Sequence, residues 1–149
     1  MVALTRQELL RNGVDLRIAL SSEVAVVLGD RVQLQQVLIN LIVNGIEAMT
    51  GVHDRPRELN IETTRAEPDT AIVEVRDTGT GFEPGHIDRL FQSFYTTKAE
   101  GMGMGLAISR SIIEAHGGRL EAMPNEPHGA VFRFTLPDRK NGQGAVRSP

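Results

Sequence analysis

The stretch RVQLQQVLINLIVNGIEAM, residues 31–49, restricts what this chain can become more than any other. At about 100° per residue, Gln33, Gln36, Asn40, Asn44 and Glu47 fall within about 40° of one line. Almost every other position is apolar, so the spacing predicts a helix buried around most of its girth, with one narrow polar stripe. Asp30 is a good N-cap for it. A polar stripe is usually a solvated face, but solvated faces normally carry Lys, Glu and Arg, and Asn is a poor helix former. Two Asn residues one turn apart point instead to neutral ligands lining a cavity.

Strands surround this helix in the chain. Residues 14–20 alternate and read as a strand with one wet face, and residues 25–28 as a short second strand. Residues 58–65 and 70–76 alternate on either side of Ala66-Glu67-Pro68-Asp69, a hairpin signal. Residues 119–123 and 130–136 form a closing hairpin across Pro124-Asn125-Glu126-Pro127-His128-Gly129. A short helix is expected near 86–91 and a mobile loop over 92–103. Next comes Gly101-Met102-Gly103-Met104-Gly105, then a helical run in which Met104, Ile108, Ile112 and Ala115 share one face, with Gly117-Gly118 as a left-handed C-cap. Two or three helices and about six strands, mostly consecutive hairpins, predict an α+β fold: a two-layer α/β sandwich, helices on one face of a mixed, mostly antiparallel sheet. Residues 1–13 read as the end of a helical segment whose beginning is missing, residues 14–137 as one domain, and residues 138–149 as a disordered tail.

Composition narrows the chemistry. The chain has 149 residues and a net charge of −3, which gives no footing for nucleic acid or an anionic membrane. It has no Cys, which excludes disulfides, thiol catalysis and thiolate metal sites. No apolar run approaches a membrane span and no signal peptide is visible, so a cytoplasmic location without membrane contact is expected for this segment, whether or not a parent protein is membrane-anchored.

The glycines before the last helix read as a phosphate cradle. The first N–H groups of a helix lack internal partners, its dipole places partial positive charge there, and glycine lets an anion approach. A lone G-x-G-x-G is a weak signal, and a flexible loop is the plain alternative. A nucleotide needs more. Asp77, at the end of a strand and followed by Gly79 and Gly81, could accept a hydrogen bond from an adenine amino group, the glycines letting the ring approach the backbone. On its own, D-T-G-T-G is an ordinary turn. Asn44 offers a neutral oxygen to Mg²⁺, and Lys98 a movable cation for the phosphates.

Four stretches in this order, Asn40-Leu41-Ile42-Val43-Asn44, Asp77-Thr78-Gly79-Thr80-Gly81, Phe91-Gln92-Ser93-Phe94 with Thr96-Thr97-Lys98, and Gly101-x-Gly103-x-Gly105-Leu106, resemble the N box, first glycine box, F box and second glycine box of bacterial sensor histidine kinases. The chain resembles their catalytic and ATP-binding domain over about residues 14–137, most closely the oxygen-sensor and nitrogen-regulation type. The resemblance implies a Bergerat-type ATP-binding fold of the GHKL superfamily, shared with gyrase, a heat-shock chaperone and MutL.

It implies roles residue by residue. Asn44 would bind Mg²⁺ bridging the phosphates of ATP, with Asn40 supporting the phosphates or the metal shell. Asp77 would bind adenine, with Gly79 and Gly81 beside the ring. Phe91 and Phe94 would anchor the hinge of a lid, with Thr97 and Lys98 near the phosphates. Gly101, Gly103, Met104 and Gly105 would contact the nucleotide, and Leu106 would start the helix behind them. Many sensor kinases carry Lys or Arg three residues after the metal-binding Asn. Here it is Glu47, which stays among the expected nucleotide contacts and leaves Lys98 as the cation at the γ-phosphate. Gly45 replaces a common Ala, at a local helix cost of about 1 kcal/mol.

In hydrolytic relatives a Glu four residues before the metal-binding Asn orients or activates water, whereas Asn40 is neutral and a poor proton acceptor. Transfer to a protein histidine is therefore favoured over hydrolysis. The alternatives are an ATPase of the same fold and a nucleotide-binding module without kinase activity. None of His53, His86, His116 and His128 lies in the family's phospho-acceptor context. The acceptor is expected on a separate dimerisation domain, with a response regulator receiver domain next in the relay.

Overall fold

The computed structural model describes residues 7, 9–19, 31–66, 70–82, 91 and 105–137. In chain order the elements are β1 (Asp15–Ala19), α1 (Arg31–Met49), β2 (Glu58–Ala66), β3 (Thr70–Asp77), α2 (Gly105–Ala115), β4 (Arg119–Pro124) and β5 (Ala130–Pro137). The five strands make one sheet in the order β1-β2-β3-β5-β4. Only β1 and β2 pair in parallel; the other three ladders are antiparallel. Both hairpins expected from the sequence form, but they meet through β5, so the closing hairpin inserts its second strand against β3. The expected strand over 25–28 lies outside the described residues, as do the tail and all of the expected 86–91 helix except Phe91.

Alternation decides which face of the sheet is covered. Along β3, Ala71, Val73, Val75 and Asp77 are buried and the residues between them half-buried. Leu59, Ile61, Leu120, Ala122, Phe132, Phe134 and Leu136 lie in the core with them. On the other face Glu74 bridges Arg76 at 2.6 Å and Arg133 at 3.0 Å, a solvated ionic ladder. Both helices pack on the apolar face, α1 over β2 and β3, α2 over β4 and β5, and they touch each other. This is the expected two-layer sandwich. Leu34, Val37, Leu41, Ile42, Ile46 and Met49 of α1 enter the core, as the apolar girth of the helix requires. Leu9 joins the same cluster from the helical turn before β1.

The second helix departs from its expected facing. Ser109 and Ile113 are its buried residues, whereas Ile108 is 42% exposed and Ala115 is exposed. The core-facing line runs through Leu106, Ser109 and Ile113, about one residue of rotation from the expected line of Met104, Ile108, Ile112 and Ala115, of which Ile112 still packs half-buried against the core. A polar contact sets this facing: the Ser109 hydroxyl accepts a hydrogen bond from Asn40 of α1 at 3.1 Å. The helix ends as expected. Gly117 sits at φ 84°, and the N–H groups of Gly118 and Gly117 donate to the carbonyls of Ile113 and Glu114 at 2.9 and 3.0 Å, the Schellman pattern. A side chain on Gly118 would run into the Thr135 carbonyl of β5, so this corner admits only glycine.

Replacing Ile113 by Ala removes a fully buried side chain and should lower unfolding free energy by about 2–4 kcal/mol, whereas Ile108→Ala should cost less than about 1 kcal/mol. Urea midpoints of the two variants check this, and equal losses would restore the Ile108 face to the core.

Candidate functional site

Asp77 continues the alternation of Ala71, Val73 and Val75, so its side chain lies on the apolar face of the sheet, 2% exposed. A carboxylate there needs donors. Its Oδ1 accepts the Gly79 N–H at 2.8 Å and the Ala130 N–H at 3.2 Å. The turn between β4 and β5 folds over it: Asn125 donates from Nδ2 to the Asp77 carbonyl at 2.8 Å. Gly129, at φ 100°, lies where any side chain would strike that carbonyl.

The glycines of D-T-G-T-G serve the protein's own packing. A Cβ on Gly79 would stand 2.6 Å from the Ala48 carbonyl oxygen of α1, and one on Gly81, at φ 72°, would stand 2.8 Å from the Gly129 carbonyl oxygen. At these two positions the space a side chain would take is occupied by backbone. The Thr80 N–H donates to the Ala48 carbonyl at 3.1 Å, binding the turn to the end of α1. Gly45 has a reason too. A Cβ there would meet Leu59 Cδ1 at 2.9 Å and Asp77 Cβ at 3.5 Å, so this glycine lets α1 lie directly on Asp77.

The middle of α1 meets the second glycine stretch at Gly105. Asn40 donates from Nδ2 to the Gly105 carbonyl at 3.2 Å and to Ser109 Oγ at 3.1 Å, and its Oδ1 accepts from Gln36 Nε2 at 3.0 Å. Its amide therefore locks the N-terminal turn of α2 against α1, a contact not foreseen from sequence. Asn44 and Glu47 follow on the same stripe, both half-buried, as are Gly105 and Leu106. Phe91 is buried edge-to-face on Phe132, ring centroids 6.5 Å apart, with the Arg110 guanidinium 5.0 Å from its ring centre. Phe94, Thr97, Lys98, Gly101, Gly103 and Met104 lie outside the described residues.

Three of the four stretches singled out in sequence thus converge on α1: D-T-G-T-G at its C-terminal half, Gly105-Leu106 through Asn40, and the Asn40/Asn44 stripe itself. Sequence reasoning missed Arg55, Asn125 and Gly129. All three lie in loops without periodicity and act on backbone groups, a contact type with no spacing signature. Among the described residues no helix is long and apolar enough to cross a membrane.

Comparison with known proteins agrees with this geometry. Residues 29–140 match the family described as histidine kinase-, DNA gyrase B-, and HSP90-like ATPase. The chain is 56% identical over 124 residues to the sensor protein FixL of Bradyrhizobium diazoefficiens, a match covering 83% of this chain and 24% of FixL. The catalytic domain of the histidine kinase ThkA, in a nucleotide-free form, superposes with a TM-score of 0.75 at 30% identity, covering 91% of this chain and 86% of that one. ThkA in complex with the response regulator protein TrrA gives 0.70 at 27% identity, covering 91% and 37%. ShkA in complex with AMPPNP gives 0.75 at 27% identity, covering 91% and 29%. The chain thus spans about a quarter of the length of FixL. It belongs to the histidine kinase-, DNA gyrase B- and HSP90-like ATPase family, and within it to the catalytic domains of sensor histidine kinases.

Proposed function

We propose that this chain binds Mg-ATP and transfers its γ-phosphoryl group to a histidine on a separate dimerisation domain, for relay to the receiver domain of a response regulator. The observation that carries this reading is that one helix touches both the Asp77 turn and the start of α2. Gly45 lies against Asp77, and Asn40 holds the N-terminal turn of α2. Asp77 would take the adenine amino group, and the first N–H groups of α2 would face the phosphates. The AMPPNP complex of ShkA and the TrrA complex of ThkA support nucleotide and regulator as partners of this kind of domain.

The donors present suit Mg²⁺. Among the described residues no three His, Cys, Asp or Glu side chains group into a metal site, and the polar stripe offers the neutral amide of Asn44. A cation held by substrate phosphates, waters and one or two protein oxygens is how Mg²⁺ usually binds nucleotides. Asn44 would hold it, and when bound it would neutralise charge on the phosphates. Asp77 and the α2 N-terminus would orient ATP so that an imidazole nitrogen attacks the γ-phosphorus in line and ADP leaves. Lys98 is assigned to the γ-phosphate from the sequence pattern.

Position 40 favours transfer over hydrolysis. Both N–H bonds of its amide are engaged by Gly105 and Ser109, and the residue carries no titratable group to activate water.

Incubation of the chain with γ-labelled ATP and a histidine-bearing dimerisation domain from a sensor kinase should place acid-labile, alkali-stable label on that domain. Label released only as free phosphate would assign an ATPase, and binding with neither product a nucleotide-binding module. Asn44→Ala should weaken ATP binding in Mg²⁺ by about tenfold or more, the scale of one lost metal contact, and much less in EDTA. Unchanged affinity in Mg²⁺, measured by calorimetry, would remove Asn44 from the metal shell.

A further inference from the structure

The turn that carries Asp77 is held from outside by a side chain that belongs to none of the four motif stretches. Arg55, in the loop leaving α1, donates from Nε to the Thr78 carbonyl at 2.9 Å and from Nη2 to the Gly79 carbonyl at 2.8 Å. Its Nη1 lies 3.0 Å from Asp54 Oδ1, and its side chain is only 20% exposed. All three guanidinium nitrogens are engaged, two of them on consecutive peptide units.

Those two peptide units are the ones that matter. In a trans peptide the C=O and N–H point to opposite sides of one rigid plane. The unit between Thr78 and Gly79 has its oxygen on Arg55 Nε and its N–H on Asp77 Oδ1, at 2.8 Å. The unit between Gly79 and Thr80 has its oxygen on Arg55 Nη2 and its N–H on the Ala48 carbonyl, at 3.1 Å. Each plane is pinned at both ends, with the guanidinium fork at one end of both. A hydrogen bond from a cation to the oxygen also polarises the unit and makes its N–H a stronger donor to the carboxylate. Gly79 has no side chain that could hold the turn by packing, because the Ala48 carbonyl takes that space.

We infer that Arg55 is a positioning residue for base recognition: by fixing the Thr78–Gly79 peptide plane it sets where the Asp77 carboxylate points, and so sets selectivity for adenine over guanine. This rests on Asp77 receiving the adenine amino group, as proposed above. Adenine presents an amino donor where guanine presents a carbonyl acceptor, so a carboxylate held in one direction favours the first and repels the second. A carboxylate free to swing discriminates less. Lys cannot replace the fork, because its single ammonium does not span two carbonyls in fixed geometry.

The test is the ratio of GTP to ATP dissociation constants for the 149-residue chain and its Arg55→Ala and Arg55→Lys variants, with tripolyphosphate as a base-free ligand and the nucleotide-free melting temperature recorded beside it. Arg55→Ala should reduce the preference for ATP by about tenfold, and Arg55→Lys by less, while tripolyphosphate affinity stays within about twofold. A folded variant whose ratio is unchanged overturns the inference, as does a loss shared equally by ATP, GTP and tripolyphosphate, which marks a purely structural role. Should Arg55→Ala fail to fold, Arg55→Lys decides by the same ratio. Asp77→Asn separates the two readings: if it keeps the ATP preference, both the adenine contact and the role of Arg55 are overturned. If it loses the preference while Arg55→Ala and Arg55→Lys keep it, only the role of Arg55 is overturned.

Discussion

A carboxylate turned onto the apolar face of a sheet is the demand around which this domain is arranged. Asp77 stands in phase with Ala71, Val73 and Val75 and is 2% exposed. Taking an ionised carboxylate out of water is unfavourable unless hydrogen-bond donors replace the solvent. Much of the local architecture supplies them. The Ala130 N–H reaches Oδ1 because β5, not β4, lies beside β3. Gly129 and Asn125 bring the β4–β5 turn onto the Asp77 carbonyl, and Gly45 lets α1 cover the side chain. The place of β5 beside β3 and the two glycines at 45 and 129 thus all serve one residue.

How much of this could be read in advance depends on the range of the interaction. The α1 bounds and the five described strands are local patterns of period 3.6 and 2, and they appear within a residue or so of their expected limits. The burial of Asp77 was also legible in principle, since it falls on the even step of the β3 alternation. The neighbour relation of β3 and β5 was not, because hairpin signals report only which strands follow each other in the chain. The facing of α2 failed for another reason. The apolar arc of that helix is broad, from Ile108 and Ala115 round through Ile112 to Ile113 and Leu106, so lines one residue apart score alike, and the choice fell to the Asn40–Ser109 hydrogen bond, a contact between residues 69 apart. The motifs around Asn40, Asp77 and Gly105 were expected together from their order and spacing, and the structure brings the last two against α1 through contacts that carry no spacing signature. Gly79 and Gly81 make room for backbone, and the amide of Asn40 secures a helix. Arg55 left no trace in any pattern, because its partners are carbonyl groups that every residue has.

The helix α1 acts as a spacer between the two ends of the site. Asn40 and Gly45 are five residues apart, about 7.5 Å along a helix axis. Because the rise of a helix is stiff, the position of α2 relative to Asp77 is set by where α1 is tied at these two places. Gly45 and the Ala48 carbonyl tie it to the Asp77–Thr80 turn, and Asn40 ties it to Gly105 and Ser109.

The two ends are held unequally. Among the described residues, the Asp77 turn is fixed by two N–H donors on Oδ1, by Asn125, by the two-pronged contact of Arg55 and by the Thr80–Ala48 bond. Among the described residues, the hydrogen bonds that fix the start of α2 to α1 are two neutral ones from one amide. Neutral hydrogen bonds contribute about 1 kcal/mol each, whereas charge-assisted ones and those serving a buried carboxylate contribute more. A rearrangement is therefore less costly at the start of α2 than at the Asp77 turn. On the proposed reading, a domain of this construction would keep the Asp77 turn rigid while the start of α2 adapts, an ordering that follows from which donors are charged and which are not.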